Sequence, residues 1–222
     1  MSEISKKINY YFWASYRRRL LDEFQEKYSH LYHGQVLDIG GRDRGKFIKP
    51  KNTVERWIFA DIEKKHRPDI VLDVAKMDMV GDESIDVINA MELFEHVLKI
   101  DDGLDECRRV LKTGGTMLIS VPFLHPVHAD PYDYQRWTKE KWQQRLTSCG
   151  YKVISVEVMG GFFTVLGDMI KFLFATLPRR IKFITYPLYP IVDLVVLLDK
   201  THLSRHRQLQ GFHGGYFIIL NK

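Results

Sequence analysis

An apolar strand that runs straight into a glycine-rich turn, Gln35-Val36-Leu37-Asp38-Ile39-Gly40-Gly41-Arg42-Asp43-Arg44-Gly45, constrains this chain more than any other stretch. Four further apolar runs follow, each ending in a small or polar residue: Trp57 to Asp61, Ile70 to Asp73, Ile85 to Ala90 and Met117 to Pro122. Short apolar strands alternating with connecting segments predict βαβ units and a parallel sheet. In such a sheet the ligand crevice lies outside the carboxyl ends of the strands. Gly40, Asp61, Asp73, Asn89 and Pro122 are therefore expected to face one crevice.

Length and composition are those of one globular unit. The chain has 222 residues, 45% hydrophobic and 27% charged, and a net charge of +5. So small a basic excess does not favour a nucleic-acid partner, and no RNA-binding motif is appended. The basic residues gather at Arg17 to Arg19, Lys49 to Lys51, Lys64 to Arg67 and Arg179 to Lys182. Cys107 and Cys149 fall on the apolar stripes of expected helices and read as small buried hydrophobes. The first residues show neither the apolar core nor the cleavage site of a signal peptide, so a reducing cytoplasm is expected.

Apolar positions from Ile8 to Leu31 recur every three or four residues, which predicts one N-terminal helix over 6–31 whose aromatics belong to the core. Ile100, Leu104, Cys107 and Leu111 predict a second helix, stopped by Lys112-Thr113-Gly114-Gly115. A third runs from Thr138 as N-cap to a stop at Gly150, and a strand follows at Lys152 to Val158. Two apolar stretches, Phe162 to Leu177 and Ile181 to Leu198, precede the last strand at Tyr216 to Leu220. The first is short and carries Asp168 and Lys171; the second carries Lys182, Pro187, Pro190 and Asp193. Neither matches the ~20 mostly apolar residues of a spanning helix, so they read as a helical cap on an acceptor pocket, with peripheral membrane contact as the alternative.

The ordered set VLDIGG, FADI, VLDV, IDVINAMELFEHV and ECRRVLKTGGTMLISVP resembles the class I S-adenosylmethionine (SAM) dependent methyltransferases, in the branch called methyltransferase type 11. The resemblance covers roughly Tyr32 to Val158 and the last strand. It implies an α/β, Rossmann-like seven-stranded sheet with helices on both faces, its last strand reversed, and a helical insertion before that strand. One domain over 1–222 is expected: an N-terminal helix at 1–31, a core at 32–158, a cap at 159–210 and the last strand at 211–222.

The resemblance also assigns the crevice to SAM. Gly40 and Gly41 let the backbone approach the methionine portion, where a Cβ would crowd the turn. Asp38 supports the loop or pairs with the amino group. Asp61, with Ile62 beside it, would accept from the ribose hydroxyls, Asp73 and the Val74 backbone would read the adenine, and Asn89 and Ala90 would lie beneath the sulfonium. The loop departs from the usual D-x-G-x-G-x-G pattern, and Arg42 becomes a candidate partner of the tail carboxylate.

Phe123 to Thr138, directly after the fifth strand, resembles the H-x-x-P-x-D-Y-x-R-Y/W-T segment of type 11 relatives, many of which act on sugars or other small metabolites. His128 is the expected general base, since an imidazole titrates near neutrality. Asp133 with Arg136 could instead form a pair that merely fixes the loop. No metal is expected: His125, His128, Asp130 and Asp133 lack a second ligand cluster, and His202 and His206 lack a third ligand. Phe94-Glu95-His96 reads as an architectural or acceptor-side element. The expected activity is methyl transfer to a small hydroxylated acceptor such as a sugar or a cell-surface polysaccharide precursor. A lipidic acceptor, quinone or lipid-linked saccharide, and a non-catalytic binding protein are the alternatives; the oligomeric state is not read.

Overall fold

The computed structural model describes residues 3–41, 45–128 and 132–222. Two N-terminal helices, α1 (Glu3–Trp13) and α2 (Tyr16–Lys27), precede β1 (Gly34–Ile39), β2 (Val54–Asp61), β3 (Ile70–Val71) and β4 (Ile85–Met91). Then come α3 (Ile100–Val110), β5 (Leu111–Pro122), α4 (Lys139–Ser148), β6 (Lys152–Met159), α5 (Phe162–Thr176), α6 (Arg179–Lys182), α7 (Tyr189–Leu197) and β7 (Gly215–Asn221). The seven strands form one sheet in the order β3-β2-β1-β4-β5-β7-β6. The β1–β2, β2–β3, β1–β4 and β4–β5 pairs are parallel, and β7 runs antiparallel between β5 and β6. The order reverses at β1, between β2 and β4, so the crevice expected outside the strand ends opens beside Gly40.

Helices cover both faces of the sheet. On one, Leu104 and Cys107 of α3 and Trp142 and Leu146 of α4 pack with Leu37, Ile88, Met117 and Ile218. On the other, Leu21 of α2 is buried with Val36, Val87 and Leu118, while Phe24 and Tyr28 stack on Phe217 of β7 at 5.2 and 5.6 Å. Burying Leu21 alone contributes roughly 1.5 to 3 kcal/mol. Residues 45–53, on the way from β1 to β2, form no helix, and α2 shields that face of the sheet instead.

Three local expectations need correction. The N-terminal helix is two helices: Ser15 breaks it by accepting from the Arg18 amide, as an N-cap does. The glycine stop after α3 is not a loop, because β5 starts at Leu111 and Gly114, at φ +79°, lies in an irregular stretch of the strand where the register with β4 shifts. The second apolar stretch continues as a helical run of 21 residues, Arg180–Lys200, of mean hydropathy 1.7, long and apolar enough by length and composition to cross a membrane. Its prolines do not interrupt it. Pro187 sits in a 3-10 segment and Pro190 in the first turn of α7, where a missing N–H costs little.

Polar groups tie α5 to the N-terminal helices. The Asp168 carboxylate of α5 accepts from the backbone amides of Tyr16 and Arg17, at the start of α2. Lys171, one turn on, donates to the carbonyls of Tyr11 and Ala14. Tyr11 and Phe12 of α1 pack on Tyr189 of α7, at 6.1 and 4.9 Å between ring centroids.

Candidate functional site

A cavity of about 960 Å³ lies at the ends of β1, β2 and β4. Gly40, Gly41, Asp61, Ile62, Asp73 and Val74 line one part of it. Glu92, His96, His125, His128, Tyr132 and Tyr134 line another, with Trp13 and Arg17 from the N-terminus and Phe172 from α5.

The glycine turn admits nothing larger. Gly40 has φ +70°, which L side chains rarely adopt. A Cβ on Gly41 would lie 1.9 Å from Asp38 Oδ1. Asp38 itself is buried and supports the loop from beneath: it accepts from Trp57 Nε1 at 2.8 Å and from Asn89 Nδ2 at 2.6 Å. Asn89 Oδ1 in turn accepts from the Tyr32 hydroxyl at 2.7 Å. The Asn89 side chain is thus spent on the sheet, and it meets the cavity from inside that network.

Asp61 ends β2 with its carboxylate preset by the Glu63 amide at 2.8 Å and His66 Nδ1 at 2.9 Å. Asp73 is exposed at the rim and accepts from the Ala75 amide at 2.9 Å, while Val74 is buried below it. Ala90 lies deeper than the other expected residues. It is fully buried in the core with Ile88 and does not line the cavity; the strand continues to Met91, which does. Arg42 lies outside the described residues.

Beyond β4 the chain turns through Glu92 at φ +55°, a conformation costly for a residue with a side chain and one that clusters at functional sites. Its carboxylate pairs with Arg17 and accepts from Ser120 Oγ at 2.5 Å. Burial opposes the charge, yet Arg17 prevails and holds the group down to about 2. Glu95, three residues on, is 1% exposed and neither of its oxygens accepts a hydrogen bond. Burial, then the Glu92 charge, push its carboxyl well above the usual range.

The Phe123 to Thr138 tract is clamped onto this turn. The Tyr134 amide donates to the Glu95 carbonyl at 2.8 Å, and Gln135 Nε2 to the carbonyls of Phe94 and Val97 at 2.8 and 3.0 Å. Asp133 accepts from Arg136 and from the His128 amide, so the expected pair exists and also positions His128. His128 is drawn below its ordinary value by burial and by the neighbouring His96, and His125 is lowered to about 3 by burial and by Arg17. The ligand types weighed along this tract do not converge: Asp133 is taken by Arg136, and Asp130 lies outside the described residues. Glu95 and His96 meet His128 instead. Glu92 was not singled out in the sequence, Trp13 read as core, and Glu95 read only as part of the architectural or acceptor-side Phe94-Glu95-His96 element.

Comparisons with known proteins bear on the fold. The type 11 family model, described as a methyltransferase domain, matches residues 55–119. Over that segment the chain is similar to a methyltransferase domain, and its fold is the Rossmann-like fold of class I SAM-dependent methyltransferases. The methyltransferase fold extends beyond the matched segment. A SAM-dependent methyltransferase from Archaeoglobus fulgidus superposes with TM-score 0.61 at 16% identity, covering 98% of this chain and 99% of that one. The O-methyltransferase of a trans-AT PKS multienzyme of Brevibacillus brevis, in complex with S-adenosylhomocysteine, does so with TM-score 0.55 at 16% identity over 93% and 71%. The cyclase SpnF matches with TM-score 0.62 at 16% identity over 92% and 81%. No curated protein matches the chain in sequence.

The methyltransferase fit to SAM rests on its own residues. The Gly40-Gly41 turn lines the cavity with little but backbone, the preset Asp61 carboxylate suits a diol, and the exposed Ile62 suits an apolar ring. These chemistries differ along one cavity as the parts of SAM differ.

Proposed function

We propose that this protein transfers a methyl group from SAM to a hydroxyl of a small polar acceptor, most naturally a sugar or a polysaccharide precursor. SAM supplies the electrophilic methyl. Gly40, Gly41, Asp61, Ile62, Asp73 and Val74 would hold it, with Arg42 as the proposed partner of its carboxylate. The observation that carries the acceptor reading is the polar end of the same cavity, where His96, His128, Tyr132 and Tyr134 offer hydrogen bonds beside the aromatic faces of Trp13 and Phe172.

Methyl transfer asks mainly for placement of the acceptor about 3 to 3.5 Å from the methyl carbon, and a base when the acceptor is a hydroxyl. His128 is the proposed base. Its Nδ1 faces the Pro126 carbonyl at 3.3 Å and Asp133 Oδ2 at 3.4 Å, both acceptors, so Nδ1 keeps its proton and Nε2 carries the free lone pair. Formation of S-adenosylhomocysteine in mixtures of the protein, SAM and a panel of sugars and nucleotide sugars tests this reading. Turnover with lipid-linked or quinone acceptors and none with soluble sugars would overturn it.

A specific surface favours that second reading. Ile181, Phe183, Ile184, Leu188, Ile191, Leu194 and Leu197 are all exposed along the Arg180–Lys200 run. Such a row beside Arg180 and Lys182 suits peripheral contact with an anionic membrane, where a lipidic acceptor would be met. Free Cys107 and Cys149 fit a reducing, cytoplasmic setting for either reading.

A further inference from the structure

His96 and His128, on the cavity wall, and Glu95, buried behind it, bring one ligand atom each to within 4.8 Å of one another. Two ligands each about 2.1 Å from a common ion stand roughly 3 to 4 Å apart, so a small inward shift closes the set around a cation. The tautomers already suit it. His96 Nδ1 lies 2.5 Å from the Tyr132 carbonyl and must donate to it, which leaves the Nε2 lone pair facing Glu95 Oε1 at 3.7 Å. His128 is held through Nδ1 in the same way. An imidazole whose far nitrogen donates to a carbonyl or carboxylate is the usual outer support of a metal-bound histidine.

The third ligand is the independent sign. A carboxylate buried like that of Glu95 and accepting no hydrogen bond is costly unless a cation meets it. The nearby Glu92 does not need one, being paired with Arg17 and Ser120.

We propose that Glu95, His96 and His128 bind one divalent transition-metal cation, of the Mn²⁺ or Zn²⁺ kind, whose open positions take oxygen atoms of the acceptor. Two imidazoles and one carboxylate suit these ions and leave coordination sites free. The inference rests on the hydroxyl-acceptor reading and changes one part of it, since the His128 Nε2 cannot be both ligand and base. Coordination lowers the pKa of the acceptor hydroxyl, which releases its proton to solvent. The oxygen lone pair then forms the new C–O bond as the methyl–sulfur bond breaks, its electron pair staying on sulfur. A pair of neighbouring hydroxyls, as on a sugar ring, fills two such positions.

The test uses the whole protein, stripped with EDTA and returned to metal-free buffer at pH 7.5, then titrated with MnCl₂ by electron paramagnetic resonance and with ZnCl₂ by calorimetry. A single equivalent should bind with Kd below about 1 mM. His96→Asn and His128→Asn should each weaken it at least about tenfold, the least that loss of even an outer-shell partner of a metal costs, while His202→Asn should not. Circular dichroism checks the fold; His128 is partly exposed, so its variant carries the test if the His96 variant unfolds. Absence of saturable binding, or unchanged affinity in His128→Asn, overturns the proposal. S-adenosylhomocysteine affinity of the metal-free wild type, measured on the same preparation, reports on the cofactor site alone and so separates failure of the cation site from failure of the methyltransferase reading.

Discussion

Asp168 of α5 accepts a 2.5 Å hydrogen bond from the Tyr16 amide and a second, at 3.1 Å, from the Arg17 amide. A side chain from the far end of the chain therefore caps the helix that brings Arg17 to the cavity. Burial raises the Asp168 carboxyl above its ordinary value, and the two amides oppose that shift. Asp168→Ala leaves two amides without this acceptor and is expected to cost about 2 to 3 kcal/mol in urea unfolding, by analogy with lost caps and buried unmet donors. Asp168→Asn, which retains an acceptor oxygen, should cost less. Equal losses in both would mean that charge, and not capping, is what Asp168 contributes.

Gly41→Ala is expected to displace Asp38, whose oxygen lies where the new Cβ must go. Because Asp38 is bonded to Trp57 and Asn89 at once, the disturbance spreads beneath the whole loop. S-adenosylhomocysteine affinity should fall at least about tenfold with a stability loss of roughly 1 to 3 kcal/mol. Isothermal titration and a thermal melt read the two effects; an unaltered affinity would mean that the cofactor does not lie against this turn.

Acid stability should depend on Asp86, at the start of β4. Burial works against its charge, but Lys112 at 2.7 Å and the Gln35 amide at 2.9 Å hold its carboxyl below the ordinary 3.8. A depressed carboxyl binds fewer protons folded than unfolded, so its contribution is full above about pH 4 and is lost as the pH falls through the folded value. Lys112→Met should flatten the fall in stability below pH 4 while changing stability at pH 7 by less than about 1 kcal/mol. Melting curves from pH 2 to 7 give the comparison.

The exposed row on the Arg180–Lys200 run predicts that Ile184→Ser with Ile191→Ser removes any sedimentation with anionic vesicles while cofactor affinity stays the same. Neither residue lines the cavity. Vesicle binding that persists in this variant would place the membrane contact elsewhere.

The strands and the glycine turn were legible in the sequence because their signals are local: an apolar run, a small residue, a polar residue at the strand end. Cys107, the Thr138 cap and the Gly150 stop, at φ +82°, are of the same kind. Period alone does not say which residue of a strand end faces out, and Ala90 proves to be buried while Met91 lines the cavity. What stayed hidden is long-range. Glu95 meets His128 only because Tyr134 and Gln135 clamp a distant loop onto the 94–97 turn, and no spacing encodes that clamp. Ser15 looks like any serine until Asp168 arrives from α5 to complete the break it makes.

The account stands most directly on Asp61, whose carboxylate is held by Glu63 and His66 at the end of β2 and is assigned to the ribose diol. Calorimetric titration of S-adenosylhomocysteine into wild type and Asp61→Ala is the decisive measurement, with melting temperature as the control for folding. Wild type should bind, and a variant that melts like the wild type should bind about 1 to 3 kcal/mol more weakly. Equal affinity in a folded Asp61→Ala, or no binding by the wild type, would contradict the account.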